Sequence, residues 1–413
     1  MLKKLTSNIV IYGATNMLKS LVPFLMLPIL TTYLTPKDYG ILSLIEVSIL
    51  FLLPFITLNI NSAINVEYFH LEHTQLKIYI SNAILLSFLS GILFILLAFI
   101  FKQPISQALN LTEKLVLVLP IFALLRIVST VLLGLYQVSE QPIKFASYTI
   151  IQTIIDFIFS YILIVYWKLG YIGRLEGIYF AFFIASIYGI YILYKQKLLT
   201  LLNPITYMKE ILRYGIPLIP HVIGGVIIAM SDRYFISYFI GNDIVGYYTT
   251  AYQMGAIMLL VSISINQAWM PILFKMLREY QTYKQQIKKY TIFLFFLYTF
   301  IGLVLYLLSD VLFSFFINEK FYMAKMFFPA LLLGFMFQSY YYLFTNFLFF
   351  QKRTKILAKI TFICAILNLI LNYFLIHQFG AIGVAYATII TWAIYSIIIG
   401  LLIIIQYKKE GLK

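Results

Sequence analysis

Apolar stretches of twenty or more residues recur from one end of this chain to the other. That recurrence decides what it can fold into. A hydrocarbon core ~30 Å thick is crossed by a helix of ~20 apolar residues. Twelve such spans are read at about 9–34, 41–63, 78–101, 115–136, 146–167, 175–194, 214–240, 245–268, 290–316, 326–349, 359–377 and 381–406. Hydrophobic residues make up 62% of the chain and charged residues 11%, against ~45–50% and ~25% in soluble domains. The expected fold class is an all-α polytopic membrane protein with 12 transmembrane helices.

The net charge of +15 would suggest nucleic acid in a soluble protein. Here most Lys and Arg lie in short connections between spans, and no nucleic-acid partner is expected. With twelve spans both termini share one side. That side carries 20 Lys and Arg, the other seven, and three fall inside spans. The positive-inside rule therefore places both termini in the cytoplasm. The start "MLKKLTSNIV" reads as a retained cytoplasmic end, since no small-residue cleavage site follows it. Cys364 is the only cysteine, which excludes a disulfide framework and a cysteine-based metal site.

A long basic connection at 195–213, "KQKLLTLLNPITYMKEILR", divides the spans into two groups of six. The two lobes are expected at 1–203 and 204–413. Residues 12–44 run parallel to 214–250, each with a Tyr-Gly start, a proline-bearing span, a short turn and a glycine opening the next span. Residues 175–193 resemble 381–399 in the same way. Parallel six-span repeats are a transporter architecture, with substrate held between lobes that rock.

The segment 214–255, "YGIPLIPHVIGGVIIAMSDRYFISYFIGNDIVGYYTTAYQMG", resembles the seventh and eighth spans of bacterial polysaccharide flippases, the exporters of O-antigen and related repeat units. The resemblance rests on Pro217 and Pro220, on the Ser-Asp-Arg-Tyr run at 231–234, and on the turn from Gly241 to Gly246. "TTYLTPKDYGILSL" (31–44) resembles that family's first outer turn, and "FGAIGVAYATIITW" (379–392) its last hairpin. The resemblance implies the MATE-like fold of the multidrug, oligosaccharidyl-lipid and polysaccharide exporter superfamily, two six-helix bundles around a central cavity. It also implies a substrate: an oligosaccharide on undecaprenyl pyrophosphate, moved by alternating access from the cytoplasmic to the outer leaflet of the bacterial inner membrane. Membrane lipid, a polysaccharide polymerase and glycosyltransferases would be its partners. Lipid II flippases usually carry two further helices, so that branch is not expected.

Charges inside the spans are the candidate site. Lys19 shares its span with Pro23 and Pro28, and Arg126 has no acid in its own helix closer than Glu113 or Glu140. Intramembrane charge costs roughly 2.5–3.5 kcal/mol per residue on insertion scales, and it generally marks a functional path. Lys19 and Arg126 are read as an electropositive floor for the pyrophosphate, since both side chains bind phosphate by charge-assisted hydrogen bonds. The alternative pairs them with Glu46, Asp156 and Asp232 on other helices. Arg233 is a third substrate candidate. It follows Asp232, but neighbouring helical residues point ~100° apart and need not bond each other. Asp156, in "TIIDFIFS", is the candidate for coupling to H⁺ or Na⁺, because a lone mid-span carboxylate can bind either. Its alternative is a salt bridge to Lys19 or Arg126.

No cofactor beyond such an ion is expected, no metal site is assigned to His70 and His73, and no Walker or Ser–His–Asp pattern appears. A glycan ligase or polymerase would carry a large outer loop, and the loops here are short. The rival is a multidrug or cation antiporter of the same superfamily, which would use acidic residues for its cargo.

Overall fold

The computed structural model describes residues 2–200, 205–351 and 353–410; the side chains of 2–10, 12, 13, 16, 17, 19–21, 354 and 406–410 are outside this description. Every regular element among the described residues is helical. The long helices are α1 (Leu2–Tyr33), α2 (Pro36–Thr57), α3 (His73–Ile100), α4 (Glu113–Val138), α5 (Pro142–Tyr166) and α6 (Gly170–Lys195). They continue with α7 (Met208–Met230), the short α8 (Asp232–Phe239), α9 (Asn242–Arg278) and α10 (Tyr280–Leu307). The last three are α11 (Phe328–Phe350), α12 (Thr354–Phe379) and α13 (Ala381–Glu410).

Ten helices among the described residues are long and apolar enough to cross a membrane, and Glu319–Met326 with α11 makes an eleventh when that pair, bent by 55°, is one span. The first expected span falls in α1, of which Val22–Tyr33 is the described apolar part. The main differences from the expected limits have local causes. The second span stops at Thr57, because Leu58 and Asn59 adopt left-handed backbone with φ of 49° and 52°. The seventh is interrupted at Ser231, between α7 and α8. The eighth runs on through Pro271 to Arg278, ten residues past its expected end. In that last stretch Leu273, Met276 and Leu277 are buried, and their packing extends the helix beyond the apolar run.

What faces outward identifies the solvent. Along α10, Phe293, Phe296, Phe300, Leu303 and Leu307 are each 54–68% exposed and repeat at three- and four-residue intervals. A stripe of that size on one helix face would drive aggregation in water and suits hydrocarbon. The protein is a multi-pass membrane protein.

The described residues form two compact units. One comprises α1 and residues 41–226, the other residues 35–40 and those from 227 onward. In the first, Leu27 and Leu30 of α1, Ile45 and Ile49 of α2, and Val131 and Leu132 of α4 are buried. In the second, Tyr248, Ala251, Met254 and Met258 form the inner stripe of α9, with Leu331 and Phe335 of α11 also buried. Lipid tails are as apolar as leucine, so packing and polar bonds, rather than escape from water, hold such helices together. Close approach therefore counts. A Cβ at Gly246 would stand 1.9 Å from the Pro36 carbonyl oxygen, so the start of α9 meets the start of α2 backbone to backbone only because that residue is glycine.

Candidate functional site

Among the described residues, three arginine–carboxylate pairs lie within or beside the spans. Each is assembled differently. Arg126 sits at a break in α4, where its N–H bonds three residues back to the Ala123 carbonyl at 3.2 Å. This tighter turn separates Glu113–Leu125 from Ile127–Val138. The guanidinium Nη2 donates to both carboxylate oxygens of Glu46 on α2, at 2.9 and 3.0 Å. The Tyr179 hydroxyl of α6 donates to the same carboxylate at 3.3 Å. The rings of Phe182 and Tyr179 lie 4.9 and 5.9 Å from the guanidinium carbon, within cation–π range. The Arg126 Nε is buried with no hydrogen-bond partner. The Arg126 side chain is 13% exposed and that of Glu46 35%. One nitrogen thus carries the whole salt bridge, leaving donors of the guanidinium fork for another acceptor.

Asp156 of α5 is held by Arg174, in the first turns of α6. Arg174 Nη1 donates to Asp156 Oδ1 at 2.5 Å and to Ser160 Oγ at 2.6 Å, and Ser160 donates to Asp156 Oδ1 at 3.0 Å. Gly177 makes this possible: a Cβ there would stand 2.3 Å from Ser160 Oγ. The charge count assigns Arg174 to an outer connection, because it stands just before the apolar run of the sixth span. The structure makes it the partner of Asp156. The signal that could have found it is its spacing of 18 residues from Asp156, across one short turn between antiparallel helices.

Asp232 and Arg233 bond each other directly, Nη1 to Oδ1 at 2.6 Å. The chain breaks at Ser231, so Asp232 opens α8. In a first turn the backbone N–H groups lack helical acceptors, and Oδ1 accepts from the Arg233 N–H at 2.9 Å. That backward fold of Asp232 puts its carboxylate where the Arg233 side chain can reach it, whatever the angle between neighbours in a continuous helix. Arg233 also donates to the Ala229 carbonyl at 2.9 Å. The Tyr252 and Tyr248 rings lie 4.0 and 5.5 Å from its guanidinium carbon, and the Tyr248 hydroxyl donates to Asp232. The pair is 2% and 4% exposed.

Each described acid of the expected site therefore has an arginine, and Arg126 and Arg233 each have an acid. Arg126 found the partner its own helix lacked on α2, 80 residues away in sequence. Lys19 lies in α1, but its side chain is outside the described residues.

The fold is that of the MATE-type transporters. An inward-facing multidrug resistance MATE family transporter of the MOP superfamily superposes with a TM-score of 0.76 at 13% identity, over 95% of this chain and 97% of that one. The lipid II flippase MurJ, in an inward closed conformation, superposes at 0.78 and 16% identity, over 95% and 87%. At these identities the superpositions give the fold, which is that of the multidrug, oligosaccharidyl-lipid and polysaccharide exporter superfamily.

Within it the chain belongs to the family described as polysaccharide biosynthesis protein, whose model matches residues 5–277. A model described as MatE matches residues 217–374. The protein named "Lsg locus putative protein 1" from Haemophilus influenzae is 21% identical over 373 residues, 89% of each chain. The protein is a transporter of the flippase kind and not an enzyme.

Proposed function

We propose that this protein moves oligosaccharide repeat units, carried on undecaprenyl pyrophosphate, from the cytoplasmic to the outer leaflet of the bacterial inner membrane, by alternating access and with both termini cytoplasmic. The observation that carries the reading is Arg126. It is a cation on a broken helix, in a chain of the polysaccharide biosynthesis family, bound to Glu46 through one nitrogen while its Nε has no acceptor. Phosphate oxygens accept from such a fork with favourable geometry. A pyrophosphate can engage the unused donors first and then exchange for the Glu46 carboxylate, which is accessible enough to leave.

We assign substrate contact to Arg126 and Lys19. Arg233 is placed outside the substrate path, since it is covered by two tyrosine rings and would have to leave Asp232 and Ala229 before meeting a ligand. Coupling to H⁺ or Na⁺ is placed at Asp156, through exchange with Arg174. Pairing of Glu46, Asp156 and Asp232, the three acids of the expected site, with arginine argues against the antiporter for organic cations, which needs a spare carboxylate. Glycosyltransferases that build the repeat unit and a polymerase that joins the flipped units are its partners in this reading.

The test is the leaflet distribution of undecaprenyl-linked oligosaccharide in cells with wild type, a deletion, Arg126→Ala or Lys19→Ala. The deletion is expected to strand the glycan on the cytoplasmic leaflet. Arg126→Ala should do the same, at least tenfold below wild-type flipping with normal protein levels. An unchanged distribution in the deletion, where no second exporter operates, would end the reading and move dye export to first place.

A further inference from the structure

A groove of about 550 Å³ lies in the second unit, on the surface formed by α10, α11 and α13. It is within the usual size range of small-molecule sites, and its polarity changes along its length. Lys284 and Lys288 stand one helical turn apart on α10, on the same face. Thr291 follows three residues deeper on that face, and its Oγ1 is buried without a hydrogen-bond partner. Beyond them the wall is apolar. Phe344 of α11 and Ile403 of α13 line it, and Gly400 leaves open the space in which a Cβ would touch the Phe344 ring at 3.4 Å. No acid lines the groove, and neither lysine makes an ion pair among the described residues.

We propose that this groove binds one anionic glycerophospholipid of the surrounding membrane. Its phosphate lies between Lys284 and Lys288, its glycerol ester oxygens accept from Thr291, and one acyl chain runs between Phe344, Ile403 and Gly400. The order charge, hydroxyl, hydrocarbon is that of such a lipid from headgroup to tail. At 1.5 Å per residue, Lys284 to Thr291 covers about 10 Å along the helix, the reach from a phosphate to the ester level. The lysines also stand at the start of α10, beside the basic segment 275–289, which the charge asymmetry of the loops puts at a membrane surface. Basic pockets between transmembrane helices at that level select anionic headgroups. A protein partner would have no need of the uncapped Thr291 hydroxyl or of two cations above an apolar slot. The groove shares no residue with the arginine pairs, so the proposal stands or falls without the transport reading.

The experiment is native mass spectrometry of the full-length, delipidated protein titrated with phosphatidylglycerol or with phosphatidylcholine of the same chain length. Wild type is expected to take up one phosphatidylglycerol more tightly than any phosphatidylcholine. Lys284→Gln with Lys288→Gln should weaken that uptake about 30-fold, the effect of two lost charges near a membrane surface, and leave phosphatidylcholine unchanged. Lys284→Arg with Lys288→Arg should restore it, and millimolar inorganic phosphate should not displace the lipid. Both lysines are exposed, so the variants retain the fold, checked by helical content. Unchanged phosphatidylglycerol binding in the glutamine variant would overturn the proposal. So would an equal loss for both lipids, or displacement by polyprenyl phosphate at lower concentration than by phosphatidylglycerol, which would make the groove a site for the carried lipid.

Discussion

Two regions of this protein hold an arginine against a carboxylate, and they do it to opposite effect. In the first unit, Arg126 and Glu46 come from different helices, and a third helix supplies the surrounding rings. The pair keeps partial access, at 13% and 35%. In the second unit, Asp232 and Arg233 are neighbours in the chain, roofed by Tyr248 and Tyr252 and almost fully enclosed. Breaking a buried pair from one side leaves a charge with neither water nor counterion. An accessible pair can trade its carboxylate for another anion. The first arrangement suits a site that opens and closes on a substrate, the second a joint that must not open.

Asp232→Ala should cost about 3–5 kcal/mol, the effect of stranding a buried charge, read as a lowered Tm in detergent. Glu46→Ala should cost less, about 2 kcal/mol, the scale of one charge-assisted hydrogen bond. Millimolar pyrophosphate should recover part of that Tm in Glu46→Ala and none in Asp232→Ala. Equal losses in the two variants, or equal rescue, would erase the distinction between site and joint. The smallest effect marks the far end of the scale. Lys102 and Glu113 pair at 2.9 Å but are 44% and 45% exposed, so Lys102→Gln should shift stability by under about 1 kcal/mol, and by less in high salt.

How much of the site could be read along the chain follows from the range of the forces involved. Arg126 stood out because a cation within an apolar run is conspicuous without any partner in view. Its counterion was one of three candidates, because Glu46 is 80 residues away and nothing local separates it from Asp156 or Asp232. Arg174 reads as a loop residue until α5 and α6 are laid side by side. The Asp232–Arg233 bond is missed by a rule that assumes an unbroken helix, and the break at Ser231 removes that assumption.

That the chain is a bundle of membrane-crossing helices is legible in its amino acids alone. Hydropathy is a property of each twenty-residue window, and the bilayer evaluates each window on its own. The proline-bearing repeats and the Ser-Asp-Arg-Tyr run carried the family resemblance for the same reason, being local patterns. Which charges neutralise one another, how exposed each arginine pair stays, and where a lipid-shaped groove opens between α10, α11 and α13 came only with the packing of the helices. Salt bridges and grooves are made by side chains far apart in sequence, and their energies depend on a distance and a local polarity that exist only after the helices have packed.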